Sequence, residues 1–196
     1  MSSGSRIRRG LAILLALPLL VLAFRAALMQ GYPLKYRSAI SDCAEEHGLD
    51  PYLVAAVIRA ESRFRPDATS PQGARGLMQV MPDTGRWVAG KMGLPYDDAY
   101  LYEPLYNIRL GCWYLAALLR EFAGDPVLAL AAYNGGMSNV YRWLNEQQWT
   151  GERDTLAQIP FSETRYFVAN VLRDQKRYRL LYGVWKPAGT GGDEDA

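Results

Sequence analysis

A chain of 196 residues with 22 Lys and Arg against 20 Asp and Glu, 49% hydrophobic and 21% charged, has the length of one domain and too much apolar content for wholesale disorder. A net charge of +2 excludes the concentrated basic face of a nucleic-acid binder. The charge is also unevenly placed: residues 1–37 hold six basic groups (Arg6, Arg8, Arg9, Arg25, Lys35, Arg37) and no acid, which leaves 16 basic and 20 acidic groups, net −4, for residues 38–196.

In chain order, the basic cluster Arg6 to Arg9 precedes an uncharged run from Gly10 to Phe24, broken by Arg25 and resumed from Ala26 to Met29. That stretch is 20 residues long, matching the ~20 a spanning helix needs, and no Ala-x-Ala cleavage site occurs between Leu11 and Tyr36. The pattern predicts a retained single-pass anchor (residues 1–31) in preference to a cleaved signal or a buried core helix. The positive-inside rule keeps the basic lead in the cytoplasm and puts the body outside, contacting the membrane only through residues 10–29.

The body shows no strand-length alternation, and helical signals recur, so it reads as all-α. Helices are expected at 38–47, stopped by Gly48, and from Pro51 to about residue 63, with Asp50 as N-cap. Residues 65–75 read as loop, Gly76 to Gln79 as the start of a helical stretch that Pro82 divides from a second one ending near Gly93, and 94–104 as loop. A long amphipathic helix follows from Pro104 to Phe122, with Ile108, Tyr114 or Leu115, Leu118, Leu119 and Phe122 on one face and Gly124 ending it. Pro126 opens a small apolar helix ended by Gly135-Gly136; a short helix covers 137–145; and Ser162 is expected to cap a last helix running to Tyr182 and stopped by Gly183. The Gly-rich stretch 186–196, with Asp193, Glu194 and Asp195, reads as a disordered acidic tail. Cys43 and Cys112 have no metal-ligand spacing, and with His47 the single histidine no metal site is expected; one disulfide and two buried thiols both remain open.

On the helix opened by Pro51, Leu53, Val54, Val57 and Ile58 form the core-facing stripe, and Glu61 continues it three and four residues further on, while Arg59 and Arg63 point elsewhere. A carboxyl desolvated among apolar neighbours at a helix C-terminus favours its neutral form and is a candidate general acid. Helical phase leaves two other readings open, a Glu paired with an Arg of a neighbouring helix and one at the wet edge of the stripe.

Glu61-Ser62, Ser70, Gly73-Ala-Arg-Gly76-Leu-Met-Gln79, Ala132-Tyr-Asn134-Gly-Gly136 and Ile159-Pro-Phe-Ser-Glu163-Thr-Arg165 occur in that order. Together they closely resemble the catalytic domain of the soluble lytic transglycosylases, over roughly residues 33–185. The resemblance implies a lysozyme-like fold shared with goose-type lysozyme, bacterial peptidoglycan as partner and substrate, and no cofactor; a monomer with no nucleic-acid partner is expected. It implies Glu61 as the single catalytic acid and base, Ser70 and Gln79 as contacts to the sugar and its N-acetyl group, and Met78 as a groove residue. Tyr133 and Asn134 would shape the reacting region, and Glu163 would make a further saccharide contact. The chain departs from the family's usual Glu-Thr-Arg-x-Tyr-Val by reading Glu163-Thr-Arg-Tyr166-Phe167-Val168, so Tyr166 and Phe167 are both carried as wall residues. The family's reaction cleaves the β-1,4 bond between N-acetylmuramic acid and N-acetylglucosamine and closes a 1,6-anhydro ring, so one carboxylate suffices where most glycosidases need two. A lysozyme-type hydrolase and a non-catalytic anchored glycan-binding protein are the competing expectations.

Overall fold

The computed structural model describes residues 18–24 and 26–185; the acidic tail and most of the basic lead lie outside them. The chain divides into two compact units, Met1–Pro33 and Leu34–Ala196. In the first, residues 18–24 and 26–31 are helical, and Leu19, Leu20, Val21, Leu22 and Phe24 are exposed. Among the described residues no helix is long and apolar enough to cross a membrane.

The second unit is all-α, with only isolated bridges among its described residues. Its helices are α1 (Arg37–His47), α2 (Pro51–Ser62), α3 (Pro82–Met92), α4 (Pro104–Glu121), α5 (Pro126–Gly135), α6 (Met137–Asn145) and α7 (Ser162–Tyr182). Local chemistry sets most boundaries. Gly48 ends α1 in the left-handed region at φ 65°, where its N–H reaches the Ala44 and Glu45 carbonyls. Asp50 accepts from Tyr52 N–H before Pro51, and Asp125 accepts from Val127 and Leu128 N–H before Pro126. The apolar α5 is central as its composition requires, packing on α4, α6 and α7, while α2 lies along α7. Arg59 of α2 and the buried Asp174 of α7 pair at 2.5 Å across that contact.

Three local expectations are corrected. Residues 76–79 are not helical: they form the turn of a small loop closed by antiparallel bridges Thr69↔Arg75 and Arg75↔Val80, with Gly76 at φ 75° and Gln79 at φ 48°. Two left-handed residues in four cannot continue a helix. Ser162 does not cap α7; it is the first helical residue, Phe161 holds the cap position, and no side chain caps the end. Short 3-10 turns at Asp98–Tyr102 and Arg153–Gln158 occupy stretches read as loop or left unassigned. The open question about the cysteines resolves as a Cys43–Cys112 disulfide, Cα–Cα 6.3 Å, joining α1 to α4.

The residue that organises the loop is Asn107 of α4, fully buried. Its Oδ1 accepts from Met78 N–H at 2.7 Å, and its Nδ2 donates to the Arg75 and Leu101 carbonyls at 2.9 and 2.7 Å. The packing leaves no room for a Cβ at Gly76, where one would lie 2.1 Å from the Leu101 oxygen. An apolar replacement strands three buried backbone groups. Asn107→Leu is expected to cost roughly 3 kcal/mol in chemical denaturation; a loss under about 0.5 kcal/mol, the size of an ordinary surface change, would contradict this role.

Candidate active site

The loop 69–80, the C-terminal end of α2, the end of α5 and the start of α7 enclose a cleft of about 610 Å³. Glu61 enters it from the last turn of α2, on the stripe whose Val54, Val57 and Ile58 are fully buried. Its residue surface keeps an opening onto the cleft, but the carboxyl is otherwise walled by protein. That burial, with the negative charge of Glu163 across the cleft second, pushes its pKa up to about 8. The ion-pair alternative does not hold: Arg59 is taken by Asp174, Arg63 is exposed, and Glu61 enters none of the ion pairs found among the described residues. A carboxyl still protonated near neutral pH, facing an open cleft, can donate a proton and take one back.

Around it the structure gathers Ser70, Gln79, Tyr133, Asn134 and Glu163. Ser70 Oγ also accepts from Ala74 N–H at 3.0 Å, so it shapes the loop as well as lining the cleft. Gln79 donates through Nε2 to the Ala68 and Gly76 carbonyls at 3.1 and 2.9 Å, which fixes its side chain and its left-handed backbone together. Tyr133 donates its hydroxyl to the Met78 carbonyl at 2.8 Å; burial first, then the Glu61 and Tyr114 charges, raise its pKa well above the ordinary value and keep it a donor. Asn134 Oδ1 accepts from Oγ1 of the buried Thr164 at 2.8 Å and ties α5 to α7. There Gly135 is required, because a Cβ would lie 2.9 Å from that same oxygen. Glu163 stands exposed in the first turn of α7, where the helix terminus favours an anion.

Three expected wall residues lie elsewhere. Met78 is fully buried against Gly111, where its sulfur would meet any added Cβ at 2.4 Å, and it does not line the cleft. Phe167 is buried behind Tyr133, ring centroids 6.3 Å apart and nearly parallel. Tyr166 is 66% exposed and outside the cleft, as the ~100° step between neighbouring helix positions requires. The methionine that does line the cleft is Met81, which sequence reasoning missed because it ran a helix through residues 76–79. Its position before Pro82, which forces an extended backbone, was the available signal. Thr164 and Asn107 were missed too, since buried polar partners have no pattern in one sequence. A second cavity of about 280 Å³ shares Gln79, Met81, Tyr133 and Asn134 with the first and continues it past Thr84 and Tyr114.

Several known proteins resemble this chain. Residues 38–156 match the family model described as the transglycosylase SLT domain. The chain is 35% identical over 161 residues to the soluble lytic murein transglycosylase of Salmonella typhimurium, covering 80% of this chain and 25% of that protein. It is 33% identical to the membrane-bound lytic murein transglycosylase C of Edwardsiella ictaluri, covering 75% and 47% respectively. In structure it resembles an inactive mutant of the Pseudomonas aeruginosa lytic transglycosylase Slt (TM-score 0.72, 36% identity, 82% of this chain and 26% of that one). It also resembles a 70 kDa soluble lytic transglycosylase in complex with bulgecin A (TM-score 0.74, 32% identity, 82% and 26%). The chain thus spans a quarter to a half of the length of these relatives, and the matched region holds Glu61 and most of the cleft: it belongs to the transglycosylase SLT domain family.

Proposed function

We propose that the protein is a peptidoglycan lytic transglycosylase, and the observation that carries this reading is the place of Glu61, a carboxyl lining the cleft among buried neighbours, where desolvation raises its pKa to about 8. Protonated Glu61 donates to the glycosidic oxygen between N-acetylmuramic acid and N-acetylglucosamine as the C1–O bond breaks. The resulting glutamate takes the proton from the C6 hydroxyl of the muramoyl residue, whose oxygen bonds to C1 and closes the 1,6-anhydro ring; the acid is regenerated and no water is consumed. Tyr133, clamped on the Met78 carbonyl, holds the loop that presents Gln79 beside the acid. Ser70, Gln79, Asn134 and Glu163 supply polar contacts to sugar hydroxyl and N-acetyl groups, with Met81 as apolar wall.

Anchoring of the unit outside the cytoplasmic membrane through residues 10–29 is part of this proposal. Its support is the basic lead, the exposed apolar side chains of the first unit and the likeness to a membrane-bound relative. The Cys43–Cys112 disulfide fits an oxidising compartment.

Glu61→Gln is expected to lower peptidoglycan lysis by about 10³-fold or more with the fold intact; lysis within a few-fold of the unaltered protein refutes the assignment. The same variant has a signature in stability. The folded pKa of Glu61, about 8, lies above the ordinary 4.5, so its contribution to stability is complete below pH 4.5 and is lost as pH rises toward 8. Gln cannot ionise, so the variant gains on the unaltered protein across that window, by at most ~1.4 kcal/mol per pH unit, and shows no gain at pH 4. An advantage independent of pH contradicts the buried protonated acid.

Glu163, a second carboxylate in the same cleft, favours a lysozyme-type hydrolase as the other reading, with water as nucleophile. Mass spectrometry of the released muropeptides separates the two. Anhydromuramoyl ends are expected; reducing ends would establish hydrolysis instead.

A further inference from the structure

In the last half of α7, Arg173, Lys176, Arg177 and Leu180 fall at i, i+3, i+4 and i+7, one exposed stripe. Leu180 is 82% exposed, and Val184, just past the helix end, is 84% exposed, the most open large apolar side chains among the described residues. The chain then folds back. Tyr52 donates its hydroxyl to the Gly183 carbonyl at 3.0 Å, and Trp185 packs edge-on against Tyr52 at 5.0 Å and donates to Ser41 Oγ at 3.2 Å. The Arg37 guanidinium lies 5.2 Å from the Trp185 ring. The residues just past α7 are thereby held against α1 and the start of α2.

Along this stripe, cations outnumber the acids they are seen to pair with among the described residues. Arg59, Arg173 and Arg177 share one buried carboxylate, Asp174, and Arg179 pairs with Asp50 at 2.7 Å. Lys176, exposed on the same stripe, is a further cation. Cations flanking exposed apolar side chains match an interface of anionic headgroups over acyl chains.

We propose that this face docks on the anionic surface of the membrane that holds the N-terminal segment, its cations against lipid phosphates and Leu180 and Val184 in the interface. The proposal rests on the anchored reading above. Residues 32–36 alone connect the N-terminal helical residues to α1, and five residues reach at most ~17 Å however they are arranged. A unit tethered that closely meets the surface at high effective concentration, so modest charge attraction suffices.

The test uses the full chain with a fluorophore on Val184→Cys, the native cysteines being paired, in vesicles of phosphatidylcholine alone or with a quarter phosphatidylglycerol, both carrying a headgroup-labelled quencher lipid. Flotation with the neutral vesicles reports the anchor separately: a chain that stays behind refutes the anchor, not the face. For a chain that floats, quenching is expected to be about threefold stronger on the anionic vesicles and to fall with salt. Lys176→Glu, which touches no pair of Asp174, is expected to halve it. Equal quenching on both vesicles overturns docking. Quenching indifferent to lipid charge but displaced by soluble peptidoglycan fragments also overturns it, because the face then binds stem-peptide carboxylates.

Discussion

Keeping Glu61 out of water costs the folded protein stability above pH 4.5, and the architecture around α2 is what imposes that cost. The helix cannot rotate to release the carboxyl, because Leu53, Val54, Val57 and Ile58 on the same stripe are buried. Nor can it drift from α7 without breaking the Arg59–Asp174 pair, whose acid is almost wholly buried. Removing one member of such a pair leaves an uncompensated buried charge, which is more costly than the pair is favourable. Arg59, two residues before Glu61 and on another side of the helix, is directed to Asp174 and not to the cleft carboxyl. The raised proton affinity is therefore a property of the packing, and the cleft that opens onto it turns the cost into chemistry.

The loop over the acid is held by different means. It has no helix or sheet of its own beyond two bridges, so its backbone groups are satisfied from outside, by Asn107 beneath and the Tyr133 hydroxyl at the side. Met78 is the apolar pin of the same arrangement, seated where Gly111 leaves space. The result places Gln79 and Met81 on the cleft with Met78 below them, although all three belong to one short segment. A rigid loop here matters because contacts that position a reacting sugar lose most of their value when misplaced by an ångström.

What the sequence made legible followed from periodicity and capping. The stripe carrying Glu61 and the glycines and prolines that bound the helices were all visible, because each acts through neighbours a few residues away. The loop was misread because left-handed geometry at Gln79 depends on tertiary hydrogen bonds that no local pattern encodes. The same holds for Asn107, whose partners lie up to 32 residues away in the chain, and for Thr164. Phe167 and Tyr166 show the limit of carrying a motif across: the Phe167 ring stacks behind Tyr133, and its exposed neighbour lies outside the cleft lining.

The small net charge of +2 conceals an uneven distribution: a basic lead, a net negative body and a stripe of exposed cations on α7 within that body. None of these features performs the chemistry, which depends on one proton. The most direct measurement is therefore the titration of Glu61 itself, by carbon NMR of its side-chain carboxyl in the folded protein, assigned against Glu61→Gln. A midpoint near 8 is predicted; a midpoint near the ordinary 4.5 would contradict the account.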